Sequence, residues 1–163
     1  MIVNCRAGGS CQGGNPGGVY EYAKEAGIPD QTCQQYVASN GDGQCSPSEI
    51  CETCHPTNGS FSPGQCDAVQ TYETWKVSEY GGVAGADKMK AEIYKRGPLG
   101  CGVHATQKFE EYKGGIFSEH VDWPIINHEI SVVGWGYDSD SQTEYWVGRN
   151  SWGCVLLVRP PDF

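Results

Sequence analysis

The 163-residue chain is short of the residues that build an ordinary core. Leu, Ile, Val and Phe number 28, about 17% of the chain, which with a net charge of −9 lies on the disordered side of globular composition. No apolar run approaches the ~18 residues of a membrane span, and residues 1–10 lack the apolar core of an export signal. Basic residues are few, 11 Lys and Arg against 20 Asp and Glu, and they form no patch. Phosphate-backbone binding rests on Lys and Arg, so the charge argues against a nucleic-acid partner. Five Trp, nine Tyr and nine Cys stand against these shortages. Aromatics bury large areas per residue and cross-links replace part of a missing core, so the composition implies one folded, loop-rich, disulfide-assisted domain. Dense cysteine without an export signal is a conflict, because disulfides persist mainly in oxidising compartments. Either the thiols are reduced or metal-bound, or the true N-terminus lies upstream. The odd count leaves at least one thiol without a partner in the chain.

Residues 15–27 (NPGGVYEYAKEAG) predict a helix, with Asn15 as N-cap, Pro16 at the first helical position, Val19, Tyr22, Ala23 and Ala26 on one face, and Gly27 as stop. Gly17 and Gly18 weaken it. Residues 30–67 carry Cys33, Cys45, Cys51, Cys54 and Cys66 among Gly, Ser, Asn and Pro, and read as an irregular segment that needs cross-links. Residues 87–97 predict a second helix, facing Met89, Ile93 and Tyr94 inward and ending at Gly97-Pro98. Short strands are expected at 99–105, 115–117, 128–137 and 144–149, where Val, Ile and aromatics lie between Gly or Asp/Ser turns. The order points to an α+β fold.

Two constellations could carry chemistry. Cys51-Glu52-Thr53-Cys54-His55 has the spacing of covalent haem attachment, and Cys45, Cys51, Cys54 and Cys66 could bind zinc. Structural disulfides are favoured, since the motif sits in a Gly/Ser/Pro loop and Met89 is the only Met beyond the initiator. Six cysteines allow 15 connectivities. The second constellation is His128 in INHEISVVGWG, followed by Asn150 and Trp152 in RNSWG. A Cys nucleophile works as a thiolate beside an imidazolium. An Asn oxygen can orient that imidazole without adding charge, and an indole can shield the bond from water.

These residues resemble the His and Asn regions of the papain family of cysteine peptidases. The run from Cys5 through Gly9-Ser10-Cys11-Gln12-Gly13-Gly14 resembles the family's glycine-pair motif, in which Gly13 and Gly14 would lie along the bound peptide because only Gly permits so close a main-chain approach. With residues 27–30 and 112–117, the likeness covers residues 4–153 in the family's order. It implies a helical lobe plus a β-barrel lobe, truncated at both ends: residues 1–67 as the remnant of the helical lobe, 68–153 as the β-rich lobe, and 154–163 as a divergent tail. It also implies the pairings Cys5–Cys45, Cys33–Cys51 and Cys54–Cys66, catalytic roles for His128 and Asn150, and Trp152 as their shield. Peptide or protein substrates and cysteine-peptidase inhibitors are the implied partners of a monomeric, lysosomal or extracellular enzyme of carboxypeptidase type. No cofactor or metal is implied. Asn58-Gly59-Ser60 is an N-glycosylation sequon, in keeping with secretion.

The family's nucleophile lies roughly 130 residues before the His, which from His128 falls upstream of Met1. No Cys-Gly-Ser-Cys occurs in the chain, and the family's oxyanion-binding Gln has no counterpart. The chain as given is therefore expected to be inactive and, without its nucleophile helix, to expose apolar surface and aggregate. Cys11 and Cys101 are left unpaired, Cys154 belongs to the tail, and Gly148 stands where a bulky strand residue is usual. Two other readings remain open, a non-catalytic pseudopeptidase binding peptides or inhibitors along Gly13-Gly14, and a metal or haem module on residues 45–66.

Overall fold

A computed structural model describes residues 1–36, 43–56 and 63–152; Asn58, Cys154 and the tail lie outside these. The described residues fall into two compact units, Met1–Gly82 and a second beginning at Val83.

The first unit starts with β1 (Gly9–Ser10) and β2 (Gly13–Gly14), a minimal antiparallel hairpin pairing Gly9 with Gly14, and leads into helix α1 (Pro16–Glu25). Asn15 caps α1, its Oδ1 accepting from Gly17 N at 2.8 Å, and Gly27, at φ +86°, ends it in the left-handed region. Val19 and Tyr22 are half-buried and Ala23 is buried, as the pattern predicts, but Ala26 is exposed at the C-cap. Gly18, unfavourable by helix propensity, has a packing reason. A Cβ there would lie 2.6 Å from Gly8 Cα, and one on Gly8, at φ +90°, would lie 2.4 Å from Val19 N. The helix start and the hairpin thus touch backbone to backbone. Gly18→Ala, which on propensity alone would stabilise a helix by about 1 kcal/mol, is expected to lower the urea midpoint of this unit.

Beyond α1, β3 (Ile28–Pro29) pairs with β6 (Thr74–Trp75), and the segment between them is more regular than its composition suggests. Pro47 and a capping box between Ser46 and Glu49 set a helical turn, α2 (Pro47–Ile50). Next, β4 (Glu52–Pro56) and β5 (Pro63–Ala68) form a hairpin with Cys54 opposite Cys66. Three disulfides, Cys5–Cys45, Cys33–Cys51 and Cys54–Cys66, close loops of 40, 18 and 12 residues. These are the pairs the family resemblance implies. The haem and zinc readings fail on this bonding, because the sulfurs of Cys45, Cys51, Cys54 and Cys66 are all spent in disulfides. Among the described residues, Glu52, Cys54 and Cys66 are the one cluster with metal-ligand proximity, and two of its three members are bonded to each other.

The second unit has helix α3 (Ala86–Arg96) between two glycines at positive φ, Gly85 and Gly97, followed by β7 (Leu99–Val103), the turn α4 (Gln107–Glu110), β8 (His128–Asp138) and β9 (Thr143–Arg149). Strands β7, β8 and β9 form an antiparallel sheet in that order. Helix α3 buries Ile93 and half-buries Met89, but Tyr94 is 89% exposed, against expectation. It lies one residue, or 100° of helix, beyond Ile93, and Lys90 takes the inner flank instead, bonded to Glu144 at 2.7 Å. The strand expected at 115–117 is absent. Gly114 and Gly115 have φ of +153° and +84°, incompatible with a regular strand, and the Tyr112 hydroxyl donates to Gly115 O, closing a turn. Gly148 is explained by its neighbour, since a Cβ there would sit 2.9 Å from Ile130 Cδ1, so Ile130 fills the space of the missing side chain.

Candidate active site

The sheet register assembles the site. Val103 at the end of β7 pairs with His128 at the start of β8, and Ser131 pairs with Arg149 at the end of β9. The chain leaving β9 therefore returns Asn150 beside His128. The pairing of β7 extends past its last residue through Asn127, whose backbone N donates to Val103 O at 3.1 Å. Its side chain accepts from Ala105 N at 2.7 Å and donates to Ala105 O at 3.1 Å. This amide acts as an extra rung of the ladder and fixes the peptide entering His128. The sequence reading gave Asn127 no role, although an Asn next to a candidate His is a signal for such two-way bonding.

His128 Nε2 and Asn150 Oδ1 are 2.8 Å apart, and both residues are half-buried. Asn150 Oδ1 also accepts from Ser151 N at 2.8 Å. Two donors converging on one oxygen settle both the amide orientation and the imidazole tautomer: a flipped amide would set NH₂ against N–H, so Nε2 carries the proton donated to Asn150. The Trp152 ring lies over the imidazole with centroids 4.6 Å apart and planes 28° from parallel, so the indole covers the hydrogen bond. His128, Asn150 and Trp152 thus form one cluster in the second unit. Gly13 and Gly14 lie on β2 of the first unit, exposed, and a Cβ on Gly13 would meet nothing within 4 Å.

The family model for papain family cysteine proteases matches residues 1–155. The chain belongs to the papain family of cysteine peptidases. A cathepsin Z of Onchocerca volvulus is 48% identical over 93% of this chain and 46% of its own length. A cathepsin B-like protease 1 of Arabidopsis thaliana is 29% identical over 89% of this chain and 38% of its own. The chain therefore spans less than half the length of these curated relatives. Among solved structures, procathepsin B S9 from Trypanosoma congolense matches with a TM-score of 0.63 at 26% identity, over 93% of this chain and 48% of that one. The bromelain protease of Ananas comosus, in complex with the E64 inhibitor, matches with a TM-score of 0.64 at 26% identity, over 93% of this chain and 60% of that one. The papain-like α+β fold is thereby established.

The free cysteines among the described residues are Cys11, exposed in the β1–β2 turn, and Cys101, half-buried on β7. Burial, and then the Glu129 carboxylate, push the Cys101 thiol above its ordinary pKa, the opposite of what a nucleophile needs. Alkylation by iodoacetamide at pH 8, followed by peptide mass mapping, is expected to modify Cys11 well before Cys101. The Cys101 rate should keep rising with pH beyond the ordinary thiol range.

Proposed function

We propose that this chain carries the acid–base half of a peptide-hydrolysing site, with His128 as the proton-transfer group, Asn150 as its orienting partner and Trp152 as the shield. The observation that carries the reading is the 2.8 Å contact from His128 Nε2 to Asn150 Oδ1 under the Trp152 ring. With Nε2–H committed to Asn150, Nδ1 is the ring atom left to exchange a proton with a thiol. Taking that proton yields a thiolate–imidazolium pair. The thiolate attacks the substrate carbonyl, and the imidazolium returns the proton to the departing amine. The acyl-enzyme is then hydrolysed by a water that His128 deprotonates. Gly13 and Gly14 would bind the substrate main chain.

Six of the eight described cysteines are in disulfides and burial raises the pKa of the Cys101 thiol, which supports a nucleophile other than these. It would come from a segment outside the 163 residues, and the chain alone would be inactive. The finer reading, a lysosomal or extracellular carboxypeptidase-type enzyme of the cathepsin X (cathepsin Z) kind, is supported by the 48% identity to the Onchocerca protein. The test is covalent labelling by an epoxide probe of papain-type thiolates. A chain extended upstream of Met1 by a papain-family segment containing Cys-Gly-Ser-Cys-Trp should be labelled and should cleave peptides, whereas the 163-residue chain should do neither. Labelling of the short chain that His128→Ala blocks would overturn its inactivity. A folded, unlabelled extended chain would favour a peptide-binding pseudopeptidase.

A further inference from the structure

The aromatic contacts of Trp152 continue into a segment whose sequence suggested no functional role. Thr106 caps α4: its Oγ1 accepts from Phe109 N at 3.2 Å and donates to Glu119 Oε2 at 2.5 Å. Lys108 Nζ lies 3.2 Å from the other carboxylate oxygen, and the Glu119 side chain is only 15% exposed. The turn so fixed presents the Phe109 ring edge-on to Trp152, with centroids 5.7 Å apart and planes at 72°, and to Phe117 at 5.3 Å and 75°. Tyr112 meets Phe117 in turn at 5.8 Å. Trp152 is therefore gripped on two sides, stacked on His128 and met at an angle by Phe109.

We infer that residues 106–119 are a brace for the His128–Asn150 hydrogen bond, in which Phe109 is a positioning residue acting through Trp152 and Glu119 is the latch that holds the turn carrying Phe109. A stack alone leaves the indole free to slide in its own plane, whereas an edge-to-face contact from a second ring fixes that motion. An indole held in place keeps water from the imidazole–amide bond and strengthens it. The catalytic meaning of the brace rests on the peptidase reading above; the brace itself does not.

The latch has a defined pH range. The hydrogen bond from Thr106 holds the Glu119 carboxyl below its ordinary pKa against the opposing effect of partial burial, and Lys108 and His104, the other charged or titratable groups facing it, act in the same direction as Thr106. A carboxyl depressed in the folded state contributes above its unfolded pKa and loses that contribution as pH falls through the folded one. The latch therefore stays closed at neutral and mildly acidic pH.

The test uses NMR of the 163-residue chain, reading the water exchange of His128 Nε2–H and the His128 titration, neither of which needs a nucleophile. Phe109→Ala should raise the exchange rate about tenfold, the scale of one lost aromatic pair contact, and shift the titration, while Phe109→Tyr keeps both. Glu119→Ala should raise exchange by a smaller factor at neutral pH, and that factor should shrink to one below the Glu119 pKa. Unchanged exchange and titration in Phe109→Ala, with the sheet amide pattern intact, would overturn the brace. If Phe109→Ala unfolds the unit, Phe109→Leu and Glu119→Ala decide in the same way, and unchanged exchange in both overturns it. Failure of the extended chain to react with the epoxide would sink the peptidase reading alone.

Discussion

In the upstream-extended chain, His128→Ala should lower kcat for peptide hydrolysis by about 10²–10⁴-fold, the usual contribution of a positioned general acid–base, with KM little changed. The residue has two duties in the proposed cycle, stabilising the thiolate and protonating the leaving amine. Asn150→Ala should cost less, about 10–100-fold, corresponding to ~1.4–2.7 kcal/mol for one partly buried hydrogen bond to a group that becomes charged. The remaining Trp152 stack still favours the imidazole plane, at a centroid separation of 4.6 Å, but no longer selects the Nε2–H tautomer. Steady-state kinetics with a fluorogenic peptide checks both the sizes and their order. An Asn150 variant as impaired as the His128 variant would mean that the amide does more than orient the ring.

The legible parts of this chain are those whose physics is local. Asn15, Pro16 and Gly27 state a helix start and stop, and α1 obeys them because capping and left-handed glycine geometry depend on a few adjacent residues. The long alternation from His128 is likewise written in the sequence, since a strand period needs no knowledge of its partner. What failed was decided by contacts and backbone angles that composition and period do not state. Tyr94 was placed inward on helical period alone, but α3 meets β9 through Lys90 and Glu144, 54 residues apart. Residues 115–117 had strand composition, yet consecutive glycines at positive φ made a turn that seats Phe117 against Phe109 and Tyr112. Gly18 and Gly148 looked like weaknesses until the neighbouring Gly8 backbone and Ile130 side chain accounted for them. In the site, His128, Asn150 and Trp152 were legible because they occur in compact motifs. Asn127, Phe109 and Glu119 were not, because their roles arise only once β7 and β8 are paired and the chain from 106 to 119 has folded back on itself.

Reduction of the three disulfides should unfold the first unit under conditions that leave the second folded. Among the described residues of the first unit the buried ones are small, Ala7, Ala23, Gly27, Pro29 and Cys51, and they bury too little area to offset the conformational entropy of its irregular segments. One of them is itself half of a disulfide. Loop-closure entropy gives ~3.9 kcal/mol for the bridge closing 40 residues, ~3.2 for 18 and ~2.8 for 12, as upper estimates that do not add. On loop length alone the order of loss is Cys5–Cys45, then Cys33–Cys51, then Cys54–Cys66. Burial modifies it: Cys51 is 3% exposed and Cys54 is exposed, so replacing Cys33 and Cys51 by Ser also places a hydroxyl in a site built for sulfur. That pair should therefore approach or exceed the first in cost, while Cys54→Ser/Cys66→Ser should be tolerated best, because the β4–β5 ladder still holds its hairpin. Urea titration of each double variant, followed by Tyr and Trp fluorescence and by amide exchange in each unit, gives the order directly. A Cys54/Cys66 variant that proved the least stable of the three would show that hairpin pairing, not chain entropy, sets the stability of this unit.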